Sequence, residues 1–218
     1  MFKSVTPKVD FPKLEGEISD YWKKNNIIRD NKVLEAFTKV KREDFVLQEY
    51  KDNAYDDIAL PSKANQTISQ PTTVLIMTQA LEVKPGQKIL EVGAGSGYQA
   101  AILSVIVGKK GRIYTTEILK EPYDFAKQNL KNYKNVKVFH TDGSKGLKDF
   151  APYDRVIVTA AAKNIPQALL EQLKTGGIMV IPVGESRYVQ QMLKIKKTKE
   201  KNIIENLGDF VFVPLRET

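Results

Sequence analysis

Apolar residues recur at helical spacing in two early, highly charged stretches, at about residues 14–25 and 31–40, and each pattern predicts an amphipathic helix. Asp30 or Asn31 is a natural N-cap for the second. The pattern then breaks at residues 61–71, where PSKANQTISQP reads as a polar loop, and a strongly apolar helical run follows at 72–81. From Lys88 the periodicity changes to short β-rich runs: KILEV, GRIYTTE, VKVFHT, DRVIVT and GIMVIPV. Helical patterns separate them at 98–107, 120–132 and 166–173, with Gly108, Gly176 and Gly177 as stop signals. Strands alternating with helices predict βαβ units and a parallel sheet. After Val183 the chain reads as two further strands joined by a lysine-rich turn, suited to closing a sheet edge with an antiparallel hairpin.

Composition narrows the class. With 218 residues, 42% of them hydrophobic and 28% charged, the chain is expected to fold as one soluble α/β domain. It has no cysteine, which excludes disulfides, thiolate metal sites and a cysteine nucleophile together. The first residues lack the apolar core of a secretory signal and no segment approaches a membrane span, so a cytoplasmic location without membrane association is expected. A net charge of +8 would attract nucleic acid, but the lysines are scattered and mixed with acids. The densest cluster, Lys194, Lys196, Lys197, Lys199 and Lys201, has no aromatic residues interleaved to stack bases. It reads as the solvated turn of the late hairpin, and no dedicated nucleic-acid partner is expected.

The first β run ends in EVGAGSG, residues 91–97, directly before a helical pattern. Gly93, Gly95 and Gly97, with Ala94 and Ser96 between them, permit a tight turn and close approach of a ligand to a helix N-terminus. The dinucleotide fingerprint would place its third glycine at position 98, which is Tyr98 here. Two more acids, Glu117 and Asp142, end the second and third strands, so together with Glu91 they fall on one carboxyl edge, where such sheets bind ligands. Three acids suit a cationic ligand with an adenosine part better than a pyrophosphate. The single histidine, His140, is expected to be a packed or edge side chain.

On these residues the sequence resembles the class I S-adenosylmethionine methyltransferases. The resemblance implies a three-layer Rossmann-like fold with a mostly parallel seven-stranded sheet, an antiparallel C-terminal hairpin and an N-terminal helical extension. It also implies S-adenosyl-L-methionine as cofactor, with Glu117 at its ribose, Asp142 and Gly143 at its adenine, and the glycine turn by its methionine part. QTISQP, EVGAGSGYQAAIL, TDG, YDRVIVTAAA and IPVG, in that order, together with VLEAFTKVKREDFV and NAYDDIALP, are similar to the protein-L-isoaspartate O-methyltransferases from about residue 33 to 215. That resemblance implies that Ser69 contacts the reacting carboxylate, that Thr67 and Ile68 line the cofactor pocket, and that Gln191 is associated with the cofactor. It divides the single domain into an N-terminal helical extension (1–60), a substrate and cofactor loop with its helix (61–81), a cofactor-binding core (82–184) and C-terminal strands (185–218). It implies isoaspartyl-containing proteins and peptides as partners, and a monomer is favoured.

Lys63 and Asn65 depart from the family wording, which has glycines there, and this restricts the positive-φ conformations open to the loop. A carboxylate acceptor fits the composition. It is ionised at neutral pH, with an ordinary pKa of about 4, and needs no general base. Two rival readings stay open at this stage: a tRNA or rRNA methyltransferase on the same cofactor fold, and a binding module that has lost transfer.

Overall fold

The computed structural model describes residues 17–185 and 188–218. Nine strands and six α-helices are found among them. The first helix, α1 (Glu17–Lys24), coincides with the first predicted helix, whose opening residues 14–16 lie outside the described residues. Helix α2 (Asn31–Lys39) starts where Asp30 accepts a hydrogen bond from Lys32 N at 2.8 Å. The polar stretch after residue 60 is more ordered than its composition suggests. Strands β1 (Leu60–Pro61) and β2 (Thr67–Ile68) pair antiparallel around a 3-10 turn, with Leu60 opposite Ile68. Ala64 and Asn65 take the positive φ values of this turn, 54° and 57°, so Asn65 stands where a glycine is easiest to replace and Lys63 is not strained. Helix α3 (Pro71–Ala80) follows, with proline at its first position.

The main sheet has seven strands in the order β5-β4-β3-β6-β7-β8-β9. Strands β3 (Lys88–Val92), β4 (Arg112–Glu117), β5 (Val136–His140), β6 (Tyr153–Val158) and β7 (Leu173–Val183) run parallel. Strands β8 (Gln190–Lys196) and β9 (Ile203–Phe210) close one side antiparallel, as the late hairpin predicts. The period of two sorts side chains between two cores. Ile89, Ile157, Ile178 and Val180 face one cluster, while Leu90, Val92, Val156, Val158, Met179 and Ile181 face the other. Helix α4 (Tyr98–Val107) is apolar nearly all round because it lies in the first cluster between the sheet and the N-terminal helices. There Phe37 of α2 meets Tyr98 edge-on at 6.2 Å and Trp22 of α1 meets Phe37 at 5.8 Å. Helix α5 (Lys120–Asn129) links β4 to β5, and α6 (Gln167–Gln172) precedes β7 directly.

The lysine-rich turn has structural work. Lys197 donates to the carbonyls of Leu170, Glu171 and Leu173 at 2.6, 3.1 and 2.7 Å, which satisfies the end of α6. Lys194 pairs with Glu82 at 2.7 Å. No helix among the described residues is long and apolar enough to cross a membrane.

A buried arginine on β6 ties α3 to the sheet. Arg155 donates to the carbonyls of Leu81 and Glu82 at 2.6 and 3.0 Å, just past the end of α3. Replacing it with methionine leaves these carbonyls without their charged donor, and Arg155→Met is expected to lower the unfolding free energy by about 2–4 kcal/mol. Urea denaturation checks this, with cofactor affinity expected to stay unchanged.

Candidate active site

Strand order reverses between β3 and β6, so the chain leaves the adjacent carboxyl ends of these strands in opposite directions and opens a crevice there. The glycine turn fills its floor. Gly93 and Ala94 both donate to Thr116 O of β4 at 2.9 Å, and Thr159, just after β6, donates through its hydroxyl to Gly93 O at 2.6 Å. A Cβ on Gly93 would stand 2.4 Å from that hydroxyl, and Gly93 has φ of 97°, so both space and backbone require glycine. Gly97, also left-handed at φ 90°, starts α4. Above Gly95 the space is open, because a Cβ there would meet nothing within 4 Å.

Glu117 is nearly buried, and backbone amides hold both of its oxygens. Gly95 N donates to one at 2.9 Å and Leu119 N to the other at 3.0 Å. Each oxygen keeps a further lone pair for a ligand hydroxyl. Gly143 packs so closely beneath that a Cβ would lie 2.2 Å from Thr116 Oγ1. Two cavities meet over this floor and share Thr67, Gly93, Gly95 and Thr159. The larger reaches Glu117, Ile118 and Gly143. The smaller reaches Ile68, Ser69, Ala94 and Ser96. An open floor over Gly95, a carboxylate fixed by two amides and an adjoining glycine cradle fit an adenosine-bearing cation.

Ten of the thirteen residues singled out from the sequence thus line or directly border this crevice: Thr67, Ile68, Ser69, Gly93, Ala94, Gly95, Ser96, Gly97, Glu117 and Gly143. Three stand apart. Gln191 is exposed on β8, while its neighbour Gln190 is fully buried, accepts from Phe212 N at 2.7 Å and donates to Glu185 O at 3.1 Å. One step along a strand reverses the face. Asp142 turns its carboxylate to Ser144 N and Thr218 N, at 2.9 and 3.0 Å. Burial alone would raise its pKa, but the hydrogen bonds from Thr218 and Ser144 outweigh that and hold it down to about 2. Glu91 points into the core. The C-terminal segment Val213, Pro214, Leu215 and Arg216 also lines the larger cavity, and no residue-type signal in the sequence marks it. Its position comes from pairing across Ala161, whose amide donates to Val213 O at 2.8 Å. Thr159, by contrast, was visible as the end of DRVIVT. His140 lies at the edge, with Nε2 3.1 Å from Ile118 O and its ring stacked on Tyr123.

A model of the family described as protein-L-isoaspartate(D-aspartate) O-methyltransferase matches residues 15–218. The chain belongs to this family. A protein-L-isoaspartate O-methyltransferase of Ignicoccus hospitalis is 50% identical over 192 residues, covering 87% of this chain and 91% of that protein. One from Pyrobaculum arsenaticum is 44% identical over 203 residues, covering 92% and 98%. A solved protein-L-isoaspartate O-methyltransferase structure superposes with a TM-score of 0.82 at 27% identity, over 90% of this chain and 64% of that one. Another, from Plasmodium falciparum and in complex with S-adenosyl-L-homocysteine, has a TM-score of 0.82 at 25% identity, over 96% of this chain and 100% of that one. The fold is therefore the Rossmann-like methyltransferase fold, with S-adenosylmethionine as its cofactor.

Within this isoaspartate methyltransferase, Glu91 is an unusual acid. It is fully buried on β3, and neither carboxyl oxygen has a hydrogen-bond partner among the described residues. Burial pushes it up to about 8, an effect that the facing Thr115 hydroxyl eases without forming a proper hydrogen bond and that the nearby Glu117 charge reinforces. Between an ordinary unfolded pKa of about 4.3 and this value, the folded state holds one proton that the unfolded state has lost. Stability therefore falls as pH rises through this window, on the order of 1 kcal/mol per pH unit. Glu91→Gln should flatten that slope and be the more stable protein at pH 8. Urea unfolding at pH 5, 6.5 and 8 checks the sign, and parallel curves for the two proteins would refute it.

Proposed function

We propose that the protein transfers a methyl group from S-adenosylmethionine to the free carboxylate of L-isoaspartyl residues in damaged proteins. The observation that carries this reading is Ser69 at the smaller cavity, beside the glycine turn, in a chain whose family is the isoaspartate methyltransferases. Bound S-adenosylmethionine supplies a methyl group on a positively charged sulfur, already activated for transfer. The protein's part is to place the acceptor in line and to exclude water. Glu117 accepts from the ribose hydroxyls, pre-aligned by the Gly95 and Leu119 amides. Gly143 gives the adenine room, and Gly93, Ala94, Gly95, Ser96 and Gly97 border the methionine end. Thr67 and Ile68 form the wall between cofactor and acceptor.

Ser69 then donates its hydroxyl proton in a hydrogen bond to the acceptor carboxylate and orients it. The acceptor is already an anion at neutral pH, so no base is required. In the product ester, the following backbone amide nitrogen attacks the ester carbonyl and methanol leaves, which gives a succinimide. Water reopens the ring partly to a normal aspartyl bond, so methylation initiates repair. On the same reading polypeptides are the partner rather than RNA, and we infer a cytoplasmic monomer. Exposed Val211, two residues before the cavity-lining Val213, and exposed Tyr188 and Val189, just before the Gln190 that pairs with Phe210, suit an apolar stretch of polypeptide better than a phosphate backbone.

Ser69→Ala is expected to slow transfer to an isoaspartyl peptide by on the order of a hundredfold, the effect of misplacing an acceptor by about 1 Å, with cofactor affinity nearly unchanged. Labelled-methyl transfer to an isoaspartyl peptide, its aspartyl twin and bulk RNA, together with calorimetry of cofactor binding, tests this. Full activity in the variant removes Ser69 from the reaction. Efficient methylation of RNA instead of the isoaspartyl peptide overturns the reading itself.

A further inference from the structure

The turn that carries Ser69 is irregular and lies between β2 and α3, so sheet and helix hydrogen bonds cannot fix it. Two side chains from the N-terminal extension hold it instead. Arg42, fully buried just after α2, donates from Nη2 to Ser69 O at 3.0 Å and to Ile58 O at 3.2 Å, and from Nη1 to Ala54 O. Three carbonyls from two separate loops thus share one guanidinium. The buried Ala54 carbonyl would otherwise lack this donor, and the half-buried Ser69 carbonyl would lose its tie to the N-terminal extension. No ion pair is found for Arg42 among the described residues, although the charges of Asp56 and Asp57 act on it. Burial lowers its pKa only to about 10, so it remains a cation at neutral pH. The second side chain is Asp57. Its carboxylate accepts from Thr72 N at 2.8 Å and Thr72 Oγ1 at 2.7 Å, capping α3 from outside the helix, and Trp22 Nε1 donates to the same Thr72 hydroxyl at 2.9 Å.

Ser69 and Thr72 are therefore pinned on either side of Pro71, to residues 42 and 57. We propose that Arg42 and Asp57 are positioning residues for methyl transfer: they set where the Ser69 hydroxyl meets the acceptor and leave the cofactor floor alone. The two parts of the crevice have different supports. Glu117, Gly93 and Gly95 are fixed by bonds among β3, β4 and the residue after β6, none of which involves Arg42 or Asp57. A planar fork with diverging donors serves three fixed carbonyls in a way that an ammonium on a flexible stem does not. Retaining the positive charge is therefore not sufficient. For Asp57 the requirement is an acceptor facing Thr72 N, which asparagine also supplies.

This inference rests on the proposed role of Ser69, and its test runs Arg42→Lys, Asp57→Ala, Asp57→Asn and Ser69→Ala side by side. For each folded variant, kcat and KM for an isoaspartyl peptide are measured, with the dissociation constant of S-adenosylhomocysteine by calorimetry. Arg42→Lys is expected to lower kcat/KM for the peptide by about tenfold to a hundredfold, the range for small displacements of a reacting group, while the cofactor constant stays within about threefold. Asp57→Ala should show the same split at smaller amplitude, and Asp57→Asn should recover most of the loss. Should Arg42→Lys fail to fold, the two Asp57 variants decide. Unchanged peptide kinetics in folded Arg42→Lys or in Asp57→Ala overturns the proposal. So does a parallel loss of peptide and cofactor affinity, which marks a purely structural role. Full activity in Ser69→Ala would instead defeat the assignment of Ser69, whereas a slow Ser69→Ala beside silent Arg42 and Asp57 variants defeats only the pins.

Discussion

The hydrogen bonds that converge on Gly93 knit together the ends of the three central strands, and the rest of the crevice takes its shape from them. Gly93 N reaches Thr116 O of β4, while its carbonyl accepts the hydroxyl of Thr159 beyond β6. Thr159 N in turn donates to Val92 O of β3 at 2.9 Å. A side chain at Gly93 would force the Thr159 hydroxyl away and separate β6 from the turn. Once this knot is in place, Gly95 presents its amide to Glu117 and α4 begins at Gly97 in the direction that the N-terminal helices can cover. Strand pairing thus sets the ligand floor directly, with no long loop between scaffold and site.

The Ser69 side of the crevice, the acceptor side on the proposed reading, is built on the opposite principle. Residues 54–58, with Ser69 and Gln70 between β2 and α3, lie outside strand and α-helix, and the carbonyls of Ala54, Ile58 and Ser69 and the amide of Thr72 draw their partners from side chains distant in sequence. An arginine held by carbonyls instead of carboxylates stays charged without a tight partner. That is energetically acceptable because its hydrogen bonds are charge-assisted and because removing it would leave the buried Ala54 carbonyl and two part-buried ones without their donor together. The N-terminal extension consequently does more than cover α4, since the order of the Ser69 turn depends on it.

Much of this was legible in the sequence for physical reasons that operate locally. The β3 to β7 core announces itself through short β-branched runs between helical ones, and Asp30 does cap α2. The glycine spacing at 93, 95 and 97 demands a turn wherever it occurs, and all three residues have positive φ. What stayed hidden depends on a third dimension. The direction in which Glu91 points follows from which sheet face the N-terminal helices choose, and that cannot be read from an acid two residues before a glycine. Gln190 and Gln191 differ only in strand parity, which pairing with Phe210 and Asp209 fixes from the far end of the chain. Two-residue strands such as β1 and β2 are too short to leave a periodic trace. The Thr218 amide at Asp142 joins residues 76 positions apart.

These hidden features bear on the electrostatics of transfer. On the proposed reading, a sulfonium and a carboxylate of opposite charge must come together in one partly enclosed crevice, and each has to leave water. Glu117 faces the cationic partner, and the buried Arg42 lies behind the turn that meets the anionic one. In a medium of low effective dielectric these fixed charges act more strongly than they would in water. Glu91 does not add a second negative charge beside Glu117 at neutral pH, since burial keeps it protonated. An ionised Glu91 would repel Glu117, a repulsion already visible among the causes that raise its pKa. The sheet core therefore carries a neutral acid where the sequence shows a charge. On the proposed reading, Glu117 thus supplies a fixed carboxylate at the cofactor end, where Arg216 also lines the cavity, and Arg42 supplies a guanidinium behind the acceptor turn, itself offset in part by Asp56 and Asp57.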